Sequence, residues 1–215
     1  MVGILGRKLG MTQSYDDKGQ CHGLTVIEAG PCVVIQVKVA DKDGYDAIQV
    51  GFEPLDLKKT NKPLSGHFKG NGSKTAYRVL REFRVDDPSA FTSGQELTVE
   101  QFKPGQLLDI IGTSKGKGFA GTIKRHHFHR GPMTHGSHNK RPPGSIGNSA
   151  WPSRVVKGRK MPGQLGNKRS TVPMVRVFSI DAEKNLLFIN GPAPGGRNGL
   201  VSIQSAVKDH KGDAT

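Results

Sequence analysis

The sequence predicts a mainly β protein, a small antiparallel barrel or sandwich that carries a long, mostly irregular basic loop. Three observations predict it. Short β-type runs recur between turn signals. No long stretch shows the 3.6-residue apolar period of a helix. The whole formal net charge of +14 lies in one central segment that lacks acids.

The strands follow in order. "GLTVIEA" (23–29) meets Pro31, and "CVVIQVKV" (32–39) comes next. "DKDG" (41–44) reads as a turn with Gly44 at its end, leading into "YDAIQVGFE" (45–53). An irregular subregion is expected near 54–76. In "YRVLREFRV" (77–85), Tyr77, Val79, Phe83 and Val85 share one face of an extended strand. "QLLDIIG" (106–112) reads as a buried strand. "MVRVFSID" (174–181) and "NLLFING" (185–191) flank "AEK" as a hairpin, and "GLVSIQSA" (199–206) closes the set. Seven or eight short strands without an internal repeat suit a barrel or a sandwich. The body is expected to comprise 1–112 and 173–215, and the loop 113–172.

Residues 110–180 hold 14 Lys and Arg and no Asp or Glu, whereas the rest of the chain holds 18 of each sign. A neutral body with a purely cationic insert predicts attraction to polyanions. The insert is dominated by Gly, Pro, hydroxyl and cationic residues. It has too few apolar side chains to offset the entropy of ordering, so it is expected to order against a polyanion. Run out and back at ~3.3 Å per residue, its reach has a ceiling near 100 Å. Cys21 and Cys32 form no C-x-x-C and no zinc spacing, which points to free thiols in a reducing, cytosolic compartment. "MVGILGRKLGMT" has too short an apolar run, and too early an Arg7-Lys8, for a signal peptide. Ordered-looking sequence from residue 2 argues against a transit peptide. No run approaches the ~18 apolar residues of a membrane span.

Three motifs invite other chemistry. Gly116, Gly118 and Gly121 fit G-x-G-x-x-G, but a dinucleotide site needs a βαβ unit and an acid about 20 residues on, and no acid occurs before Asp181. Gly112 lacks the spacing of a Walker A loop. "GTSKG" (112–116) fits the nucleophile elbow with Ser114, yet that fold needs alternating strands and helices. Only Asp181, Glu183, Asp209 and His210 remain downstream to complete a triad. His126, His127, His129, His135 and His138 include an H-x-H spacing, but no carboxylate or cysteine lies near, and Arg125 and Arg130 oppose a cation. No catalytic residue, metal, cofactor or small-molecule substrate is expected.

Nucleic acid accounts for the same residues. The glycines let a backbone come close, while Ser114, Lys115 and Lys117 supply phosphate donors. Amides at the start of "FAGTIKRHH" (119–127) are expected to add a helix-terminus contact. Lys124, Arg125, Arg130, Lys140, Arg141, Arg154, Lys157, Arg159, Lys160, Lys168 and Arg169 supply further phosphate contacts. The five histidines, with Phe128 among the stacking groups, suit unpaired RNA. Trp151 reads either as a local hydrophobic anchor or as a stacking plate. Pro142, Pro143 and Pro152 stiffen the extended chain. The rival readings are a DNA-architectural protein and an enzyme with a basic groove.

Phe102, Asp109, Gly112, Ser114, Gly116, Lys117, Gly118, Gly121 and Arg125 together carry a resemblance. They match the signature of the family of the third protein of the large ribosomal subunit, in its bacterial form. "GILGRKLGMTQ" (3–13), "HGSHNKRPPGSIG" (135–147) and "VVKGRKMPGQLGNKRSTV" (155–172) extend the resemblance over essentially the whole chain. It implies a barrel of the kind shared with translation factors. It also implies a cytoplasmic, ribosomal location beside neighbouring large-subunit proteins. The loop would thread large-subunit rRNA towards the peptidyl transferase centre, and the chain would bind early in assembly near the 3′ end of that RNA. Some bacterial members carry a methylated glutamine just after "GSIG", where this chain reads Asn148-Ser149-Ala150-Trp151-Pro152. Trp151 is similar instead to the tryptophan at the loop tip of archaeal and eukaryotic members.

Overall fold

The computed structural model describes residues 3–73 and 75–208. The chain divides into two compact units, Met1–Thr113 with Arg169–Thr215, and Ser114–Lys168. The strands are β1 (Ile4–Tyr15), β2 (Cys21–Ala29), β3 (Cys32–Lys38), β4 (Ala47–Leu55), β5 (Ala76–Arg84), β6 (Glu96–Leu97), β7 (Leu107–Thr113), β8 (Phe119–Ala120), β9 (Gly163–Gln164), β10 (Arg169–Asp181), β11 (Leu186–Asn190) and β12 (Leu200–Ser205). The helices are α1 (Ala40–Asp43), α2 (Lys62–Gly70) and α3 (Thr122–His126).

In the first unit six strands close into a barrel in the order β1-β12-β7-β10-β11-β2, with every neighbouring pair antiparallel. The period-two pattern decides which side chains are buried. Leu108 and Ile110 of β7, Leu187 and Ile189 of β11, and Val201 and Ile203 of β12 are all buried. Four strands lie outside this ring in a second sheet, β5-β4-β3-β6. Val34, Ile48, Val50 and Phe83 of that sheet share one apolar cluster with Ile4, Leu5, Ile27 and Ile110 of the ring.

The hairpin across "AEK" forms between β10 and β11 as expected. β1 was not expected as a strand. Its Gly6, Arg7, Lys8 and Gly10 have weak intrinsic β preference, and pairing with β12 on one side and β2 on the other supplies what propensity does not. Arg7 then ties β1 to β4. Its Nη2 donates to Glu53 Oε2 at 2.9 Å, and its Nε also bonds that carboxylate. These hydrogen bonds hold the Glu53 carboxyl below its ordinary range, against the opposing effect of partial burial.

The stretch 54–76, expected to be irregular, contains α2. Asn61 caps it by accepting from the Leu64 amide at 3.0 Å, Pro63 sits in its first turn, and Phe68 is buried against Ile35 and Ala76. "DKDG" forms the single turn of α1, closed by Gly44 at φ 81.

Pro173 has no N–H for the ladder, and the β10–β7 register shifts between Val172 and Val175. Asp109 fastens this bulge. Its Oδ1 accepts from the Met174 amide at 2.9 Å and its Oδ2 from the Val207 amide at 3.3 Å.

Both cysteines are free thiols, Cys21 exposed and Cys32 buried. Burial pushes the Cys32 thiol up to about 11. A thiol reagent at neutral pH is therefore expected to modify one cysteine per native chain quickly, and the second only on unfolding. Two equally fast equivalents from folded protein would contradict the buried position. No helix among the described residues is long and apolar enough to cross a membrane.

Candidate nucleic-acid interface

The second unit begins as a paired neck. Backbone bonds join Ser114 N to Lys168 O at 2.9 Å, Lys117 N to Leu165 O at 2.8 Å and Leu165 N to Gly118 O at 2.9 Å. β8 then pairs with β9. Ser114 Oγ also accepts from the Lys168 amide at 3.2 Å. Gly166 makes the neck possible. Its φ is +73, and a Cβ there would lie 2.0 Å from the Lys115 carbonyl oxygen.

Beyond the neck lies α3, only five residues long, which ends at His127 in the left-handed region. Such a short helix carries little macrodipole, so the expected helix-terminus phosphate contact has no built site. Arg125 turns back within the unit, where its Nη1 donates to the Met161 carbonyl at 2.7 Å. Gly163 leaves room for it, since a Cβ there would sit 2.7 Å from Arg125 Nη1. His126 Nε2 lies 3.0 Å from the same carbonyl, and its ring is 6.1 Å from that of Phe128.

From 127 to 162 there is neither helix nor strand, and residues 141–151 are exposed throughout. Only Ala120 and Thr122 are buried in the unit. Trp151 is 85% exposed, so it is no anchor for its own segment. Phe119, 79% exposed between the glycines, is a stacking candidate that the sequence reading passed over. An aromatic residue inside a glycine-rich cationic run was the available signal.

The charge has almost no internal partner. The unit holds twelve Lys and Arg and no acid. Among the described residues, Arg125 and Arg159 are the two whose side chains hydrogen-bond to the protein, through the carbonyls of Met161 and Ser145. The other ten are Lys115, Lys117, Lys124, Arg130, Lys140, Arg141, Arg154, Lys157, Lys160 and Lys168. All ten are exposed. Arg169 belongs to the first unit, at the start of β10.

The glycine triplet divides. Gly118 has φ +66, which the neck requires. A Cβ at Gly121 would meet nothing within 4 Å, and at Gly116 only Asn167 Cβ at 3.6 Å. Packing within the protein does not call for glycine at those two positions. β8 is two residues long and antiparallel to β9, so no βαβ unit surrounds the triplet. His127, His129, His135 and His138 join no group that could hold a metal ion among the described residues.

A family model described as Ribosomal protein L3 matches residues 82–186. Curated proteins named large ribosomal subunit protein uL3 match along nearly the full length. The one from Heliobacterium modesticaldum is 52% identical over 206 residues, covering 96% of this chain and 97% of its own. The chain belongs to the ribosomal protein L3 family. The protein from Carboxydothermus hydrogenoformans is 53% identical, with 96% of this chain and 98% of its own covered. That from Desulforapulum autotrophicum is 51% identical, with 95% and 99% covered. Members of the L3 family are structural components of the ribosome, not enzymes.

The signature residues of the family fall into two groups here. Phe102 is buried in the core, Asp109 fastens the β10 bulge, and Gly112 packs where a Cβ would lie 2.9 Å from Pro194 Cγ. These three build the first unit. Ser114, Gly118 and Arg125 shape the second, with Lys117 through its backbone amide, leaving Gly116, Gly121 and the Lys117 side chain without an internal task.

Proposed function

We propose that this chain binds large-subunit rRNA through the segment 113–172, supports early assembly of the subunit, and carries that segment towards the peptidyl transferase centre with Trp151 at its tip. One observation carries the proposal. Ten exposed cations have no partner among the described residues, and no acid lies within their unit. Neutralising them releases counterions from RNA, and a sequence-independent term of this kind suits a protein that recognises shape. Gly116 and Gly121 offer room for a sugar–phosphate backbone to approach. Trp151 and Phe119 offer exposed faces for unpaired bases.

Limited proteolysis tests it. In the free chain, cuts are expected between about 125 and 170, where exposed backbone has little regular structure. In isolated large subunits the same bonds are expected to be protected. Equal resistance in both states would remove the RNA-bound segment from the proposal.

A further inference from the structure

The first unit holds a cleft of about 680 Å³, bounded by the end of β5, the turn Pro88–Ala90 and the stretch from Gln95 to Gln101. Its chemistry is opposite to that of the basic segment. Val85, Ala90, Phe91 and Leu97 supply apolar lining. Asp86, Asp87, Glu96 and Glu100 stand around them against the single cation Arg84, four carboxylates to one guanidinium. This occurs in a chain with a total of +14.

Little in the protein occupies these acids. Asp87 uses Oδ1 to hold the turn, accepting from the Ser89 amide at 3.0 Å and the Ser89 hydroxyl at 2.6 Å. Asp86 and Glu100 make no hydrogen bond or ion pair among the described residues. Gln101, in the same lining, has a buried Nε2 that donates to nothing among the described residues.

RNA does not suit this surface, since phosphates would face four carboxylates at short range. A small apolar ligand would leave the acids unpaired. A polypeptide meets every requirement at once. Lys or Arg side chains answer the rim, and an apolar side chain packs on Phe91 and Leu97. We propose that this cleft docks a Lys/Arg-bearing, apolar-anchored segment of another large-subunit protein. The proposal rests on the chain's residence in the subunit. It names a protein-facing surface on the side of the molecule's chemistry that repels RNA.

Site-specific photocrosslinking in intact large subunits tests it. The full chain carries a benzophenone amino acid in place of exposed Ala90, and the product is identified by mass spectrometry. The expected product joins residue 90 to a Lys/Arg-bearing stretch of another subunit protein. Adding Asp86→Asn, Glu96→Gln and Glu100→Gln is expected to cut the yield roughly tenfold, a factor of about two per rim charge, while the chain still sediments with the subunit. A product with rRNA, a product with a segment lacking basic residues, or a yield indifferent to the three substitutions would each overturn it. So would no product from position 90 when the same amino acid at Trp151 crosslinks. Failure of the unsubstituted chain to sediment with large subunits would sink the assembly role itself, and is read separately.

Discussion

A titration of the full chain against large-subunit rRNA is expected to give a log–log salt slope on the order of −7 to −9. Each phosphate neutralised contributes about −0.7 to −0.9, the lower figure for single strands, and the ten unpartnered cations of 114–168 set the count. Between 50 and 200 mM salt the affinity should therefore fall on the order of 10⁴-fold or more. Replacing Arg130, Lys140 and Arg141 by alanine should make the slope shallower by about one unit per residue. A wild-type slope shallower than about −3 would mean that most of these cations face solvent in the complex. Duplex DNA added at fixed salt should compete poorly, and DNA winning would favour an architectural DNA protein instead. The ion pairs of the first unit, such as Arg7–Glu53 and Lys38–Glu82, should contribute little, because their charges are already matched.

The largest effect on stability is expected at the centre of the barrel. Ile110 of β7 is fully buried and lies opposite Ile203 on one side and Val172 on the other. Ile110→Ala removes three carbons from a site closed on both flanks, and should cost about 2–5 kcal/mol. The readout is a lower denaturant midpoint at an unchanged m-value. Val156→Ala, at a residue 59% exposed in the second unit, should stay within about 0.5 kcal/mol. Equal losses from the two substitutions would mean that the stable core is not where the buried strands place it.

Much of the fold was legible in the sequence where the chain obeys its local preferences. β2, β3, β7, β11 and β12 are rich in Val, Ile and Leu and are bounded by Gly, Pro or Asn, so their existence could be read directly. β1 could not, because its strand state is imposed by two neighbours remote in sequence. α2 was hidden by Gly66 and Gly70, although Asn61 followed by Pro63 is a start signal that could have revealed it. The residues alone left barrel and sandwich open. Ring closure depends on the pairing of β1 with β12, and the second sheet on the pairing of β3 with β4 and β6, which no local pattern encodes.

The candidate site shows the same division. Its charge is a property of composition and was readable at once. The neck was not, because Ser114, Lys117, Leu165 and Lys168 meet across about 50 residues of irregular chain through main-chain atoms. Nor did residue type show that Arg125 and Arg159 turn back onto their own unit while ten other cations do not. That distinction depends on where the carbonyls of Met161 and Ser145 happen to lie.

Ring closure also sets an order on synthesis. β12 stands between β1 and β7, so the circle has no finished state until residues 200–205 have been translated. By then the whole of 114–168 has already been synthesised, while the edges of β1 and β7 that β12 will cover are still bare. A nascent chain can thus present its cations to RNA before its own barrel is complete, and capture need not wait for the globule to finish folding.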